Sequence, residues 1–276
     1  MPRWPWRRRL RFGLPERLAV TESHFALSDR GRRRATNQDR AITKDLKGGY
    51  TLLVVADGVG GAAGGETASS ETVATLLSSL EEEWIGDPER ALLDAVTAAN
   101  QRVRELAKAD PKIGNMATTL VAALLAGREA WIVNIGDSRA YLSAYGTLTA
   151  LTEDDSWVAE QLRSGALSEE EAARSPYQNV VTKGIGVEEH VTPEVIGRTL
   201  QPGETLLLCS DGLYRVVQPA EIVRTLEERP IRAAATRLVE LANEAGGPDN
   251  ISVALYRMSG GGNENTTVRA IIGGPV

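Results

Sequence analysis

The chain has 276 residues, 42% hydrophobic and 25% charged, the balance of an ordinary globular protein with room for one sizeable core or two small ones. No run approaches the roughly 18 apolar residues of a membrane span and no secretory signal is visible, so a cytoplasmic location is expected; one cysteine and two histidines exclude a disulfide framework and disfavour a Cys/His zinc site. Of the net charge of −6, residues 1–19 carry +5 (six arginines against Glu16), which leaves −11 on the rest and excludes nucleic acid as a general partner.

Residues 1–19 are expected to be a disordered leader. The interleaved tryptophans and arginines of residues 1–12 would also suit a weak contact with an anionic membrane surface. A first strand is predicted over Ser23–Ser28, followed by a polar stretch whose consecutive arginines, Arg32 to Arg34, read as a solvated face. Tyr50–Ala56 is short, rich in Leu and Val and flanked by glycines, which predicts a buried strand. It stops at Asp57, beside a loop with Gly58, Gly60, Gly61, Gly64 and Gly65 where little side-chain bulk shields the backbone. Helices are predicted over Glu66–Trp84 and from Pro88 to about Lys108, the latter with Leu92, Val96, Ala99, Val103 and Leu106 on one face.

Met116–Ala126 and Ala130–Ile135 read as a β-hairpin across Gly127-Arg128-Glu129, and a short strand over Ala140–Ser143 follows Gly136-Asp137-Ser138-Arg139. Residues 152–189 are polar and hold two short helices, Asp155–Arg163 and Ser168–Arg174, the profile of a flap-like insertion. Strands resume at Glu189–Ile196 and Glu204–Ser210, helices at Pro219–Glu228 and Pro230–Glu244, and a last strand at Ile251–Arg257. Without an internal repeat or linker, one domain is expected from about residue 20 to 258, followed by a flexible tail over 259–276 that carries Thr266 and Thr267.

Four aspartates, Asp57, Asp137, Asp211 and Asp249, are each expected in a Gly-containing loop abutting an apolar strand. Carboxylates converging on one end of a sheet repel unless cations neutralise them, and oxygen-only ligation favours magnesium or manganese. Arg34 offers a planar fork for a phosphate oxygen pair. Such a set, with two ions, suits hydrolysis of phosphate esters.

Six segments, in order, carry a resemblance: Ser28-Asp29-Arg30-Gly31-x-x-Arg34-x-x-Asn37-Gln38-Asp39, Val55-Ala56-Asp57-Gly58-x-Gly60-Gly61, Ala117-Thr118-Thr119, Asn134-x-Gly136-Asp137-Ser138-Arg139-x-Tyr141, Leu207-Leu208-Cys209-Ser210-Asp211-Gly212-Leu213, and Gly247-x-Asp249-Asn250-Ile251-Ser252-Val253. Together they resemble the bacterial metal-dependent serine/threonine protein phosphatases of type 2C. The resemblance implies an α+β fold, a four-layer α-β-β-α sandwich of two packed antiparallel sheets flanked by helices. It implies hydrolysis of phosphoserine and phosphothreonine in proteins by a hydroxide held between two ions, Mn2+ or Mg2+. Asp57 would bridge them, the Gly58 carbonyl would complete the second site, and Asp211 and Asp249 would bind the first. Arg34 would hold the phosphate, Asp39 would orient the attacking water, Gln38 and Asn250 would act through water or a neighbouring ligand, and Asp137 with Asp211 would offer a weaker third-metal site. Phosphoproteins, a cognate Ser/Thr kinase and a monomeric state complete the expectation.

The chain departs from the family pattern at Gln38, where a Glu is common and which brings no charge, at Val59 and Ala62, which supply no general acid, and at Ala117, where a Gly is usual. Two rivals remain. Gln38 makes a metal-loaded phosphoprotein reader without turnover conceivable. Cys209-x-x-Gly212-x-x-Arg215 has the spacing of a cysteine-dependent phosphatase loop, although Asp211 within it would repel both a thiolate and a phosphate.

Overall fold

The computed structural model describes residues 23–81, 86–110, 113–178, 180–228 and 230–259. The predicted leader, the tail beyond Ser259 and Thr266 and Thr267 lie outside these residues. Among the described residues no helix is long and apolar enough to cross a membrane.

Ten of the strands build two antiparallel five-stranded sheets. The first runs β1 (His24–Asp29), β12 (Ile251–Arg257), β11 (Thr205–Cys209), β8 (Arg139–Ala144), β9 (Thr147–Ala150). The second runs β10 (Val195–Thr199), β7 (Glu129–Ile135), β6 (Leu120–Ala126), β3 (Tyr50–Ala56), β2 (Arg40–Asp45). A two-stranded ribbon, β4 (Gly58–Val59) with β5 (Ala117–Thr118), lies beside the second sheet's end.

Strand alternation sorts the apolar residues into three stacked cores. Leu53, Val55, Val121, Ala123 and Ile132 of the second sheet meet Ala140, Leu142, Leu206, Leu208 and Ala254 of the first. On its other face β3 turns Leu52, Val54 and Ala56 toward α1 (Ala62–Glu81) and α2 (Pro88–Ala109). The first sheet turns Leu207, Cys209, Val253 and Leu255 toward α5 (Asp211–Tyr214), α6 (Pro219–Leu226) and α7 (Ile231–Glu244). Central strands buried on both faces explain why β3, β6 and β11 are nearly unbroken apolar runs. The architecture is the expected four-layer sandwich.

Local chemistry sets the ends of the elements. Asp87 caps α2 through the Glu89 amide and Pro88 occupies the first turn. The β8–β9 hairpin turns at Tyr145 and Gly146, both with positive φ, the geometry of a type I′ turn. In the 152–189 segment, α3 (Trp157–Arg163) is capped by Ser156 and α4 (Glu169–Ala172) has a reciprocal capping box between Ser168 and Glu171. Both roots of this segment are clamped together: Thr182 N donates to Asp155 O at 2.8 Å, and Asp155 N to Gly136 O at 2.9 Å.

Three expectations need correction. The strand predicted at Glu189–Ile196 occupies Val195–Thr199; the Asn100 amide of α2 holds the Glu188 and Glu189 carbonyls, and Pro193 cannot donate to a ladder. The first helix starts at Ala62, not Glu66, so Gly64 and Gly65 belong to its opening turns rather than to a loop. Asp211 likewise opens the short helix α5.

Leu208 is fully buried between the sheets. Leu208→Ala is expected to lower unfolding free energy by about 2–5 kcal/mol, read as a shift in the urea midpoint at unchanged slope.

Candidate active site

Antiparallel pairing decides where the acids meet. The end of β3 lies beside the start of β2 (Ala56 opposite Arg40), and the end of β11 lies against β12 (Cys209 opposite Val253). Residues just past β3, β7 and β11, and those just before β2 and β12, therefore share one end of the sandwich. These are Asp57, Asp137, Asp211, Asp39 and Asp249. A cleft of about 430 Å³ opens there, walled by Arg34, Gln38, Asp57, Gly58, Asp137, Asp211, Asp249 and Asn250, with Val181 reaching it from the 152–189 segment. Asp39 lies fully buried beneath, its Oδ2 accepting from Ser210 Oγ at 2.8 Å.

The backbone of Asp57 is pinned on both sides. Its amide donates to Thr119 Oγ1 at 3.0 Å, and its carbonyl accepts from Thr119 N at 2.9 Å and Thr118 Oγ1 at 2.8 Å. Gly136, at φ +104°, lets the chain before Asp137 lie flat on Thr119, where a Cβ would come within 2.8 Å of Cγ2. Gly58 and Gly65 touch backbone to backbone: a Cβ on Gly58 would overlap the Gly65 carbonyl. Gln38 Nε2 donates to Gly61 O at 2.7 Å and so ties down the same glycine-rich turn.

Arg34 Nη2 lies 2.7 Å from Asp249 Oδ2, and half of its side chain remains exposed to the cleft. Asn250 shapes the loop that presents it: Oδ1 accepts from Gln38 N at 2.9 Å, while Nδ2 donates to Arg30 O at 2.8 Å and Thr36 O at 2.9 Å. Behind Asp137, Arg139 makes a two-pronged ion pair with Asp154, both contacts 2.8 Å, and its guanidinium lies 3.7 Å above the Tyr214 ring. Arg215 pairs with Asp211 at 2.9 Å and Asp137 at 3.1 Å.

Burial disfavours the charged forms of Asp39, Asp57, Asp137 and Asp211. Burial first, then Asp39, Asp211, Asp137 and Asp249, push Asp57 well above the carboxylate range. Burial pushes Asp39 up to about 6, against the Ser210 hydroxyl that favours its charged form. Asp211 is pushed up to about 7 by burial, only partly offset by Arg215. Asp39 Oδ1 and Asp211 Oδ1 are both buried without a hydrogen-bond partner. Among the described residues no three acidic side chains are close enough to hold an ion by themselves. The unpartnered Asp211 oxygen, with Asp57, Asp249 and Gly58 lining the same cleft, makes an oxygen-only donor set of the kind that suits a hard divalent cation such as Mg2+ or Mn2+, with water completing its shell.

The protein phosphatase 2C family model matches residues 29–253. The chain belongs to that family. It is 37% identical over 239 residues to the Mycobacterium tuberculosis serine/threonine protein phosphatase PstP, covering 87% of this chain and 45% of that protein, so it spans about half the length of this relative. It is 36% identical over 240 residues to the Listeria welshimeri serine/threonine phosphatase stp, covering 83% and 92%. The solved catalytic domain of PstP in complex with two manganese ions superposes with a TM-score of 0.75 at 36% identity, over 84% of this chain and 96% of that one.

The structure does not support the cysteine loop. Cys209 is fully buried in β11 under the α5–α7 layer, and burial pushes its thiol far up, so no thiolate forms near neutral pH. The pinning of Asp57 by Thr118 and Thr119, and the Arg139, Tyr214 and Arg215 wall, carried no readable role in the sequence beyond the Thr-Thr and Gly-Asp-Ser-Arg segments.

Removal of metal should leave a pH-sensitive fold. Without cations, Asp39, Asp57 and Asp211 retain protons when folded that the unfolded chain releases above about 4, so the native state binds more protons and stability falls as pH rises from about 4 to 7. Thermal midpoints in EDTA should decline across that window and saturating Mn2+ should flatten the decline; a flat EDTA profile would contradict the charge-crowded site.

Proposed function

We propose that this chain hydrolyses phosphoserine and phosphothreonine in proteins, using two divalent ions, Mn2+ or Mg2+, at the sandwich end. The observation that carries the reading is the meeting of four aspartates and one half-exposed arginine in a single cleft, with Asp39 buried beneath it, within a chain of the protein phosphatase 2C family. Bound ions would supply the positive charge that lets these acids ionise, and would lower the pKa of water for in-line attack on phosphorus.

The chain's own residues have separate tasks. Asp57, fixed by the two threonines, would be shared between the ions, with the Gly58 carbonyl at the second and Asp211 and Asp249 at the first. Arg34 would turn from Asp249 to the substrate phosphate, whose charge its fork matches. Asp39, within reach of Asp57, would take up or release a proton as water is oriented. Gln38 and Asn250 would act indirectly, through the glycine turn and the Arg34 loop they tie down. The expected third ion at Asp137 and Asp211 meets an obstacle in Arg215.

The catalytic unit is read as residues 20–258 with 152–189 as its flap, acting as a monomer in the cytoplasm on products of a cognate Ser/Thr kinase. Residues 1–12 have the composition for weak contact with an anionic surface.

Phosphate release from a phosphothreonine peptide should require Mn2+ or Mg2+ and stop with EDTA. Asp57→Asn should lower kcat by about 10³-fold, the equivalent of several kcal/mol of lost charge stabilisation, while Cys209→Ser should stay near wild type. Phosphopeptide binding with no turnover at any metal concentration would favour the non-hydrolysing reader instead.

A further inference from the structure

Arg215 is a cation among the acids of the cleft to which the two-ion reading gives no role. It caps the C-terminus of α5, and the i,i+4 spacing folds its guanidinium back over Asp211: Nε lies 2.9 Å from Asp211 Oδ2. Its Nη2 lies 3.1 Å from Asp137 Oδ2 and donates to the carbonyl of Gln178, in the 152–189 segment, also at 3.1 Å. The neighbouring Tyr214 hydroxyl donates to the Asp137 carbonyl at 2.9 Å, so two successive residues hold Asp137.

This divides the oxygens of Asp211. Oδ2 is committed to Arg215, whereas Oδ1 is buried and unpartnered, free for one ion. A further ion placed between Asp137 and Asp211 would compete with the guanidinium for Asp137 Oδ2 and Asp211 Oδ2, and it would stand next to a charge that cannot be titrated away.

We infer that Arg215 is a built-in cation that takes the place of a third divalent ion between Asp137 and Asp211 and, through Gln178, couples the flap to the acids of the site. The inference rests on the two-ion reading. Arg215 is a positioning residue: it fixes which carboxylate oxygen is available and holds the flap's returning segment at Gln178 beside the cleft.

The test counts bound Mn2+ on the full chain, from the paramagnetic resonance signal of free Mn2+ during titration. Wild type should bind two ions. Arg215→Ala and Arg215→Gln should bind a third, about tenfold or more tighter than any further ion on wild type, and Arg215→Lys, which keeps the charge, should remain at two. Amide hydrogen exchange over residues 175–181 should speed up in Arg215→Ala. If that variant does not fold, Arg215→Gln, which can still donate to Gln178, carries the count. Two ions in every variant, or a third of equal affinity in wild type and the neutral variants, overturns the inference alone. Fewer than two on wild type overturns the two-ion reading and this inference with it.

Discussion

Mutual repulsion among buried carboxylates is the constraint on which the functional end of this molecule depends. Asp39, Asp57, Asp137 and Asp211 are withdrawn from bulk water, with Asp249 at the more open edge, and burial alone moves the first four toward neutrality. A fold keeps such a cluster only if cations meet it. Arg34, at Asp249, and Arg215, at Asp137 and Asp211, supply two from within, and both remain charged under all ordinary conditions.

The sandwich makes this crowding affordable in structural terms. Three apolar layers, one between the sheets and one beneath each helical cover, fix the strands on both faces, so strand ends cannot drift apart to relieve repulsion. Antiparallel order then brings together residues far apart in sequence, such as Arg34 and Asp249, separated by 215 positions. The hydroxyls of Thr118 and Thr119 satisfy the Asp57 backbone, Ser138 bonds the Thr119 hydroxyl, and Ser210 donates to Asp39, all without adding charge.

The sequence made the double-faced strands legible, because an uninterrupted run such as Tyr50–Ala56 or Ile251–Arg257 has few other uses, and both limits match the structure. Edge strands were harder. Arg40–Asp45 and Thr147–Ala150 are short, half-exposed and polar, and their pairing depends on a neighbour that local pattern does not reveal. The same division applies to the site. An acid that terminates an apolar run stands out, as Asp57, Asp137 and Asp211 do. Arg215 entered the sequence reading only as the last residue of a cysteine-loop spacing, since its partnership with Asp137 crosses 78 residues and exists only once α5 is in place. Thr118 and Thr119 hold the main chain of Asp57 with their hydroxyls, a partnership across 61 and 62 residues that local pattern does not reveal.

The clamp at the roots of the 152–189 segment has an evolutionary consequence. Asp155 and Thr182 are joined by a hydrogen bond, Asp155 is anchored to Gly136, and Asp154 is gripped by Arg139, so chain entry and exit stand side by side on the rigid sandwich. The residues between these anchors and Gln178, with α3 and α4 capped by their own serines, form a cassette whose length and composition can be exchanged without disturbing the strands below. Lineages could thus diversify target choice by rewriting that cassette while the charge-balanced floor of the cleft stays unchanged.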